Sequence, residues 1–357
     1  MLAVLGASGC GKSMTLKCIA GIEKPDRGRI VLNNTVLFDS EQKINLKPQK
    51  RKAGYLFQQY ALFPNMTALQ NVMCGVREGN REEKRQKALL MLDRLHLSGQ
   101  EEKKPSMLSG GQQQRCALAR ILVNEPEVLL LDEPFSALDA HLRFHTERQV
   151  ETIIKEFQKP VVFVSHDRDE VFRLTDNIAV MEKGKIHAMG EKHEVFSEPE
   201  TIGGAILTGC KNISEATVRA PHRIYAQDWG IELEVTEIPE NFAGVGIRMH
   251  DVLILDFLTE ENSQDASLKG TFSQRRADAS KNTEIRTDAI KNAGINVFHC
   301  RVIGKIENPF SYSIMMRPVQ EPGDRYILVE MRKALWEKKQ AEFLDIYLPP
   351  EKILLLK

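Results

Sequence analysis

The residues from position 6 to position 13 have the composition of a loop that binds phosphate. They read Gly-Ala-Ser-Gly-Cys-Gly-Lys-Ser and match the pattern G-x-x-x-x-G-K-[ST] at every fixed position. The glycines allow a tight turn that brings backbone N–H groups to phosphate oxygens. A helix that starts here directs its positive N-terminal end at the same anion. The alternative is a chance glycine-rich turn, but the apolar strand before it and the helix after it favour phosphate binding.

Two side chains of this loop suit a nucleoside triphosphate and its metal ion. Lys12 would contact the β- and γ-phosphates, and the Ser13 hydroxyl would be a ligand of Mg²⁺. We therefore expect ATP and Mg²⁺ as cofactors. The predicted phosphate contacts are Gly6, Ala7, Ser8, Gly9, Cys10, Gly11, Lys12 and Ser13.

A pair of carboxylates follows a short apolar run in the middle of the chain. The run Val128–Leu131 has the pattern of a buried strand, and Asp132 and Glu133 come directly after it. Asp132 would hold Mg²⁺, directly or through water, and Glu133 would act on the attacking water as general base. Adjacent carboxylates are also common in solvated turns. The catalytic interpretation is favoured here because the same chain contains a phosphate loop.

The pentapeptide Leu108-Ser109-Gly110-Gly111-Gln112, extended by Gln113-Gln114-Arg115, identifies the kind of nucleotide site. Ser109 offers a hydroxyl, and the two glycines permit close backbone approach at a helix N-terminus. An ordinary capped helix beginning at Ser109 is the alternative interpretation, and the two are compatible. With the two motifs above, the pentapeptide makes residues 1–205 resemble the ATP-binding subunits of ATP-binding-cassette (ABC) transporters.

The resemblance implies roles for further residues. In that family the signature of one subunit, here Ser109, Gly110, Gly111 and Gln112, caps the γ-phosphate bound to the phosphate loop of the other. Gln58 matches a glutamine that senses Mg²⁺ and the attacking water, and His166 matches a histidine that contacts the γ-phosphate. Residues 136–139 match a loop that communicates across the dimer. The catalytic residues implied are thus Glu133, His166 and Gln58, and the metal-binding ones are Ser13, Gln58 and Asp132.

Composition and patterning predict two domains in the chain of 357 residues. In residues 1–205, apolar runs at 2–5, 127–131 and 160–165 alternate with helical segments at 13–20, 82–95 and 112–123. This predicts an α/β P-loop fold of the ABC ATPase type, with a helical lobe inserted at 64–108. Residues 206–357 change to short alternating runs at 230–238, 242–255, 298–316 and 325–331, which predict a small all-β domain. The charged segment 260–291 is expected to form a long loop.

The counts of charged and sulfur-containing residues narrow the class of protein. The chain has 49 basic and 49 acidic residues, so a nucleic-acid partner is not expected. Six cysteines without metal-ligand spacing indicate reduced thiols in a cytosolic protein. No apolar run approaches the roughly 18 residues of a membrane helix.

The resemblance also implies partners and a location. We expect a homodimer of ATPase subunits on the cytoplasmic face of the plasma membrane, working with two permease subunits and, indirectly, a substrate-binding protein. The region after Gln58, including the apolar residues Tyr60, Leu62 and Phe63, resembles importers in which it receives a helix of the membrane subunit. The same apolar residues could instead belong to the core.

The C-terminal segment resembles the oligonucleotide/oligosaccharide-binding (OB)-like regulatory domain of importers of molybdate, sulfate, sugars, polyamines and iron. The stretches 208–214 and 56–67 most resemble molybdate-type subunits. Lys211, Arg248 and Arg301 could contact an oxyanion, but a solvated surface position is favoured for each. Two alternative functions remain open. The chain could be a soluble ABC ATPase that takes no part in transport, or a regulator that does not hydrolyse ATP.

The start of the chain departs from the family pattern. The sequence begins five residues before Gly6, and the upstream aromatic residue that stacks on adenine in the family has no counterpart. The first strands of the family's small β subdomain are also not found. We therefore expect a truncated N-terminus and weaker ATP binding.

Overall fold

The computed structural model describes residues 1–136, 138, 140–255, 294–320, 323–338 and 340–357, with the backbone alone for 140–145. The described chain divides into two compact units, Met1–His193 and Glu194–Lys357. The predicted loop at 260–291 lies outside the described residues, as do Ala137 and Asp139 of the predicted communication loop. Among the described helices, none is both long and apolar enough to cross a membrane.

The first unit contains nine strands and six helices among its described residues. The strands are β1 (Leu2–Leu5), β2 (Arg29–Leu32), β3 (Thr35–Asp39), β4 (Ile44–Asn45), β5 (Ala53–Leu56), β6 (Val128–Asp132), β7 (Val161–Ser165), β8 (Asn177–Glu182) and β9 (Lys185–Glu191). The helices are α1 (Lys12–Ala20), α2 (Ala68–Met73), α3 (Arg81–Arg94), α4 (Gly110–Leu122), α5 (Ala140–Phe157) and α6 (Arg168–Leu174). The strands and helices predicted from the alternating pattern are confirmed, each within two residues of its observed ends.

A six-stranded sheet forms the centre of the first unit. Its order is β5-β6-β7-β1-β8-β9, with parallel pairing from β5 to β8 and an antiparallel edge strand β9. Parallel strands buried on both sides are apolar throughout, and Leu129, Leu130 and Leu131 of β6 are fully buried. A separate three-stranded sheet has the order β2-β3-β4.

The helical lobe predicted at 64–108 contains α2, α3 and a short 3₁₀ turn at Pro105–Met107. Both helices begin with a capping box, in which the side chains of the N-cap residue and the third helical residue bond each other's backbone N–H groups. Thr67 and Gln70 form the first box, and Asn80 and Glu83 the second. These caps satisfy N–H groups that the helices leave without intrahelical acceptors.

The second unit is mainly β-structure. Its strands are β10 (Asn212–Ala220), β11 (Arg223–Ala226), β12 (Ile231–Glu234), β13 (Gly244–Ile247), β14 (Leu253–Ile254), β15 (Val297–Glu307), β16 (Ser311–Pro318), β17 (Ile327–Arg332), β18 (Phe343–Tyr347) and β19 (Leu354–Leu356). Short helices are α7 (Lys192–Ser197), which contains the division between the units, α8 (Ile202–Leu207) and α9 (Lys333–Trp336).

Two five-stranded antiparallel sheets make up the second unit, in the orders β12-β11-β10-β13-β19 and β14-β18-β15-β16-β17. Alternate residues of the strands share one core around the buried Trp229. The all-β character predicted for the C-terminal part is confirmed. The OB-type assignment and the boundary between residues 205 and 206 stay predictions.

Candidate nucleotide site

The predicted site residues come together because four neighbouring strands run in the same direction. Strands β5, β6, β7 and β1 are adjacent and parallel, so their carboxyl ends lie at one edge of the sheet. Gly6 follows β1, Asp132 ends β6, His166 follows β7, and Gln58 lies two residues after β5. Ligands of open α/β sheets bind at this edge.

The glycines of the phosphate loop are required for two different reasons. A Cβ on Gly6 would lie 2.4 Å from the carbonyl oxygen of Met181 and 2.7 Å from the Cys10 sulfur, so packing excludes any side chain. Gly9 and Gly11 have φ angles of 80° and 106°, which side chains with a Cβ rarely adopt. The loop therefore keeps a tight path around the space in front of α1.

Lys12 is the first residue of α1, and its side chain folds back over the loop. The ammonium group is buried and donates to the carbonyl oxygens of Gly6 at 2.8 Å and Ala7 at 2.9 Å. Both acceptors are neutral, and a buried ammonium gains from an anionic partner. The first N–H groups of α1 also lack intrahelical acceptors. Both features suit a phosphate group at this position.

Ser13 and Asp132 meet at the base of the loop. The Ser13 hydroxyl donates to Oδ1 of Asp132 at 2.7 Å, and the Tyr55 hydroxyl donates to Oδ2 at the same distance. Oxygen ligands of this kind fit Mg²⁺, which uses one or two carboxylates together with phosphate and water. Within the described ranges no cluster of three or more acidic, histidine or cysteine residues could hold a metal ion.

Glu133 is held at the centre of the site by contacts with both other predicted catalytic residues. Gln58 donates from Nε2 to one carboxylate oxygen at 3.2 Å, and Nδ1 of His166 lies 3.1 Å from the other. Glu133 has a φ of 43°, and its backbone N–H bonds the carbonyl of Val164. A positive φ at a residue other than glycine is uncommon, and such strained residues cluster at functional sites. Gln58 thus contacts Glu133, and within the described part of the chain no hydrogen bond joins it to Asp132 or Ser13.

The turn that carries His166 is fixed by its neighbours. The Ser165 hydroxyl donates to Glu170 at 2.9 Å and accepts from the N–H of Asp167. The Asp167 carboxylate caps α6 by accepting from the N–H groups of Asp169 and Glu170. His166 itself projects to solvent with 52% of its side chain exposed. A histidine on a fixed turn can contact a ligand without rearrangement of the backbone.

The signature pentapeptide forms the N-terminus of α4. Ser109 is the N-cap and makes a capping box with Gln112: its Oγ accepts from the Gln112 N–H, and Gln112 Oε1 accepts from the Ser109 N–H. The hydroxyl hydrogen of Ser109 remains available to an anion. A Cβ on Gly111 would lie 2.9 Å from Oγ1 of Thr146, so a side chain there would clash. Among the described residues, no hydrogen bond joins this pentapeptide to the phosphate loop of the same chain.

Four residues connect these segments: Tyr60 and Gln114, whose hydrogen bonds the sequence did not predict, and Arg120 and Tyr55, which the sequence analysis did not name. Tyr60 and Gln114 both donate to the carbonyl oxygen of Pro134, at 3.1 and 3.2 Å. Arg120 of α4 donates to the carbonyls of Tyr60 and Ala61, which both have positive φ. The fourth is Tyr55, whose signal in the sequence is a hydroxyl inside an otherwise apolar strand.

The apolar residues after Gln58 divide between core and surface. Tyr60 is buried, and its burial raises the pKa of its hydroxyl to about 12. Phe63 is 47% exposed, with the guanidinium of Arg120 over its ring at 5.3 Å. The core interpretation therefore holds for Tyr60, whereas Phe63 is available at the surface.

Two of the three cations considered for the C-terminal part have defined partners. Arg248 is partly buried and donates to the carbonyls of Thr208 and Phe196, so it holds the chain rather than lying on a solvated surface. Arg301 pairs with Glu342 at 2.9 Å on the surface, and Lys211 is exposed. Arg248 and Arg301 therefore already have partners within the protein.

Comparison with known proteins gives a consistent result. Residues 1–136 match the family described as "ABC transporter". The chain is 36% identical over 282 residues to the spermidine/putrescine import ATP-binding protein PotA of Nitratidesulfovibrio vulgaris, covering 76% of this chain and 75% of PotA. It is 40% identical over 265 residues to the sulfate/thiosulfate import ATP-binding protein CysA of Brucella melitensis, covering 72% and 71%. Among solved structures, cbiO1 of Clostridium perfringens, part of the ABC transporter complex cbiONQ, is 33% identical and covers 55% of this chain and 79% of its own, with a TM-score of 0.49.

Proposed function

This chain belongs to the ATP-binding proteins of ABC transporters, and from that premise we propose that it powers the import of a small solute through separate membrane subunits. Its first unit has the ABC ATPase fold, and the chain is an ATPase. The observation that carries the proposal is the convergence of the phosphate loop, Asp132, Glu133, Gln58 and His166 at one edge of the sheet.

We propose the following roles for the site residues of one chain. Lys12 and the N–H groups at the start of α1 bind the phosphates. Ser13 and Asp132 hold Mg²⁺, with Gln58 nearby, and the metal when bound neutralises charge on the phosphates. Glu133 accepts a proton from the attacking water, and His166 contacts the γ-phosphate.

The second half of each active site comes from another copy of the chain. Ser109 is exposed, its hydroxyl hydrogen is available, and it caps the N-terminus of α4, which is the positive end of the helix. We propose that this helix end, with Gly110 and Gly111, binds the γ-phosphate held by the partner, so that two ATP molecules lie between two chains. Closure of this dimer would drive two permease subunits, which hold the chain at the cytoplasmic face of the membrane.

We propose an oxyanion as the imported solute, with molybdate and sulfate as the candidates and a polyamine as the alternative. The stretches 56–67 and 208–214, which resemble molybdate-type subunits, support molybdate. The resemblance to CysA supports sulfate, and the resemblance to PotA supports a polyamine. Residues 206–357 are proposed to form an OB-like regulatory domain after an ATPase domain of residues 1–205.

Substitution of Glu133 tests the ATPase part of the proposal. Glu133→Gln should lower the rate of ATP hydrolysis by at least about a hundredfold, because it removes the general base, and should trap an ATP-bound dimer. Turnover is measured by phosphate release and dimer formation by light scattering. Glu156→Gln, a surface carboxylate paired with Arg94, is the matched control. Normal turnover in Glu133→Gln would remove Glu133 as the base.

Reconstitution tests the solute. The chain is assembled with the permease and binding proteins encoded beside it, and ATPase stimulation is compared for molybdate, sulfate and spermidine. Stimulation by one oxyanion alone supports the proposal. Stimulation by spermidine alone would replace it with the polyamine alternative.

A further inference from the structure

The hydroxyl of Tyr55 is bonded to the carboxylate that we assign to Mg²⁺. Tyr55 lies in β5, next to β6 in the sheet, and its hydroxyl donates to Oδ2 of Asp132 at 2.7 Å. Ser13 donates to Oδ1 of the same carboxylate at 2.7 Å. Each oxygen of Asp132 therefore has its own donor, and together the two bonds define the plane of the carboxylate.

Packing does not explain the hydroxyl. The ring of Tyr55 is buried in the core of the first unit with Leu16, Leu130 and Val164, and it meets Phe57 edge-on with ring centroids 4.6 Å apart. A phenylalanine ring would fill the same space. A hydroxyl brought into this core needs a partner, and the partner here is a single carboxylate oxygen.

The bond between the two side chains is short. The Tyr55 hydroxyl donates to Oδ2 of Asp132 at 2.7 Å, within the range of hydrogen bonds from a hydroxyl to a carboxylate. Such bonds are stronger than those between neutral groups and hold their acceptor in one orientation.

We propose that Tyr55 is a positioning residue for the metal: its hydroxyl holds Asp132 in the orientation in which the carboxylate and Ser13 together receive Mg²⁺. The inference rests on the metal-binding role proposed above for Asp132. Residues that orient a metal ligand typically contribute about 10- to 100-fold to metal affinity. Removing the Tyr55 hydroxyl is expected to weaken metal binding while leaving metal-independent nucleotide binding intact.

The test separates metal-dependent from metal-independent binding. The affinity for the non-hydrolysable analogue AMP-PNP is measured with excess Mn²⁺ and again with EDTA, and bound Mn²⁺ is counted by electron paramagnetic resonance. For Tyr55→Phe, the ratio of the two affinities should fall by about tenfold or more, with the affinity in EDTA unchanged. A residue that merely supports the fold would lower both affinities together.

Tyr60→Phe is the matched control. Tyr60 is also buried, and its hydroxyl also makes one hydrogen bond, but the acceptor is the carbonyl of Pro134. For Tyr60→Phe, the ratio of the AMP-PNP affinity with Mn²⁺ to that with EDTA should equal the ratio of the wild-type chain. An unchanged ratio in Tyr55→Phe, or an equal fall in both variants, would overturn the role of Tyr55.

Two further variants complete the design. Asp132→Asn should abolish the effect of Mn²⁺, and a wild-type chain that shows no Mn²⁺ effect would contradict the proposed metal site rather than Tyr55 alone. If Tyr55→Phe does not fold, Tyr55→Met supplies a flexible apolar side chain without the donor and is measured in the same way.

Discussion

Substitution of Ser109 can separate the structural role of the signature pentapeptide from its proposed role in the partner's active site. In the structure, Ser109 Oγ accepts from the Gln112 N–H at 3.3 Å, and Gln112 returns a bond of 2.9 Å to the Ser109 N–H. Ser109→Ala removes the cap and should lower the free energy of unfolding by about 1 kcal/mol. Ser109→Asp retains a good cap and adds a favourable negative charge at the start of the helix, worth about 0.3–1 kcal/mol.

The same aspartate should be harmful in the dimer. If residue 109 faces the γ-phosphate of the partner, its carboxylate lies near a like charge, which costs about 1 kcal/mol in water and about 4 kcal/mol near a protein surface at 4 Å. A symmetric dimer contains this contact twice, so the total is at least about 2 kcal/mol. ATP-dependent dimerisation should therefore weaken by at least about thirtyfold.

The assay uses a chain that also carries Glu133→Gln, so that ATP is not consumed. Dimer formation is followed by light scattering over a range of protein concentrations, and stability by urea unfolding. Ser106→Asp adds the same charge to an exposed position three residues earlier and is the matched control. The reasoning is refuted if Ser109→Asp dimerises with ATP as well as the control does. Unchanged stability in Ser109→Ala would refute the capping argument.

Three further predictions concern packing and thiol chemistry. Gly6→Ala should weaken ATP binding and lower the free energy of unfolding by about 1–3 kcal/mol, because its Cβ would lie 2.4 Å from a carbonyl oxygen. Gly9→Ala has no such clash and should lower the free energy of unfolding by about 1–2 kcal/mol, through its strained φ alone. Nucleotide titration and urea unfolding compare the two variants, and a milder effect of Gly6→Ala would contradict the packing argument. Arg51→Met should lower the free energy of unfolding by about 3 kcal/mol or more, since the buried guanidinium donates to three carbonyl oxygens that would lose their partner. A loss below about 1 kcal/mol in urea unfolding would show that water replaces the guanidinium as the donor to these oxygens. Burial raises the pKa of the Cys300 thiol to about 12, so at pH 8 the thiol stays protonated and should resist iodoacetamide. The exposed Cys74 should be alkylated under the same conditions. Peptide mapping by mass spectrometry measures both, and modification of Cys300 before Cys74 would be inconsistent with the fold.

The elements that build the nucleotide site were predictable because their signals are local. The run Val128–Leu131 is apolar at every position, and Ser109 with Gln112 three residues later is a capping box that can be recognised from residue types alone. These signals also determine where the phosphate loop, Asp132 and Glu133 lie. Their order along the chain was enough to predict that they meet at one edge of a parallel sheet.

The elements that were missed have weaker or conflicting local signals. Strand β9 is largely exposed, and its turn from β8 uses Lys183, which has a φ of 47° although lysine seldom adopts this region. The turn between β2 and β3 uses Asn33 and Asn34, both with positive φ, and this signal could have been recognised. The contacts of Tyr55 and Arg120 join residues 59 or more positions apart, and no local pattern predicts them.

The carbonyl oxygen of Pro134 accepts hydrogen bonds from Tyr60 and Gln114, and it lies one residue after Glu133. It therefore joins three segments through hydrogen bonds: the residues after β6 that include Glu133, the residues after Gln58, and helix α4. Displacing any one of the three alone breaks a buried hydrogen bond, at a cost of about 1–3 kcal/mol. Gln114 is fully buried, so its Nε2 group would lose the Pro134 carbonyl without access to bulk water. A motion that keeps both bonds is one in which the three segments move together, so these bonds couple the position of Glu133 to that of α4.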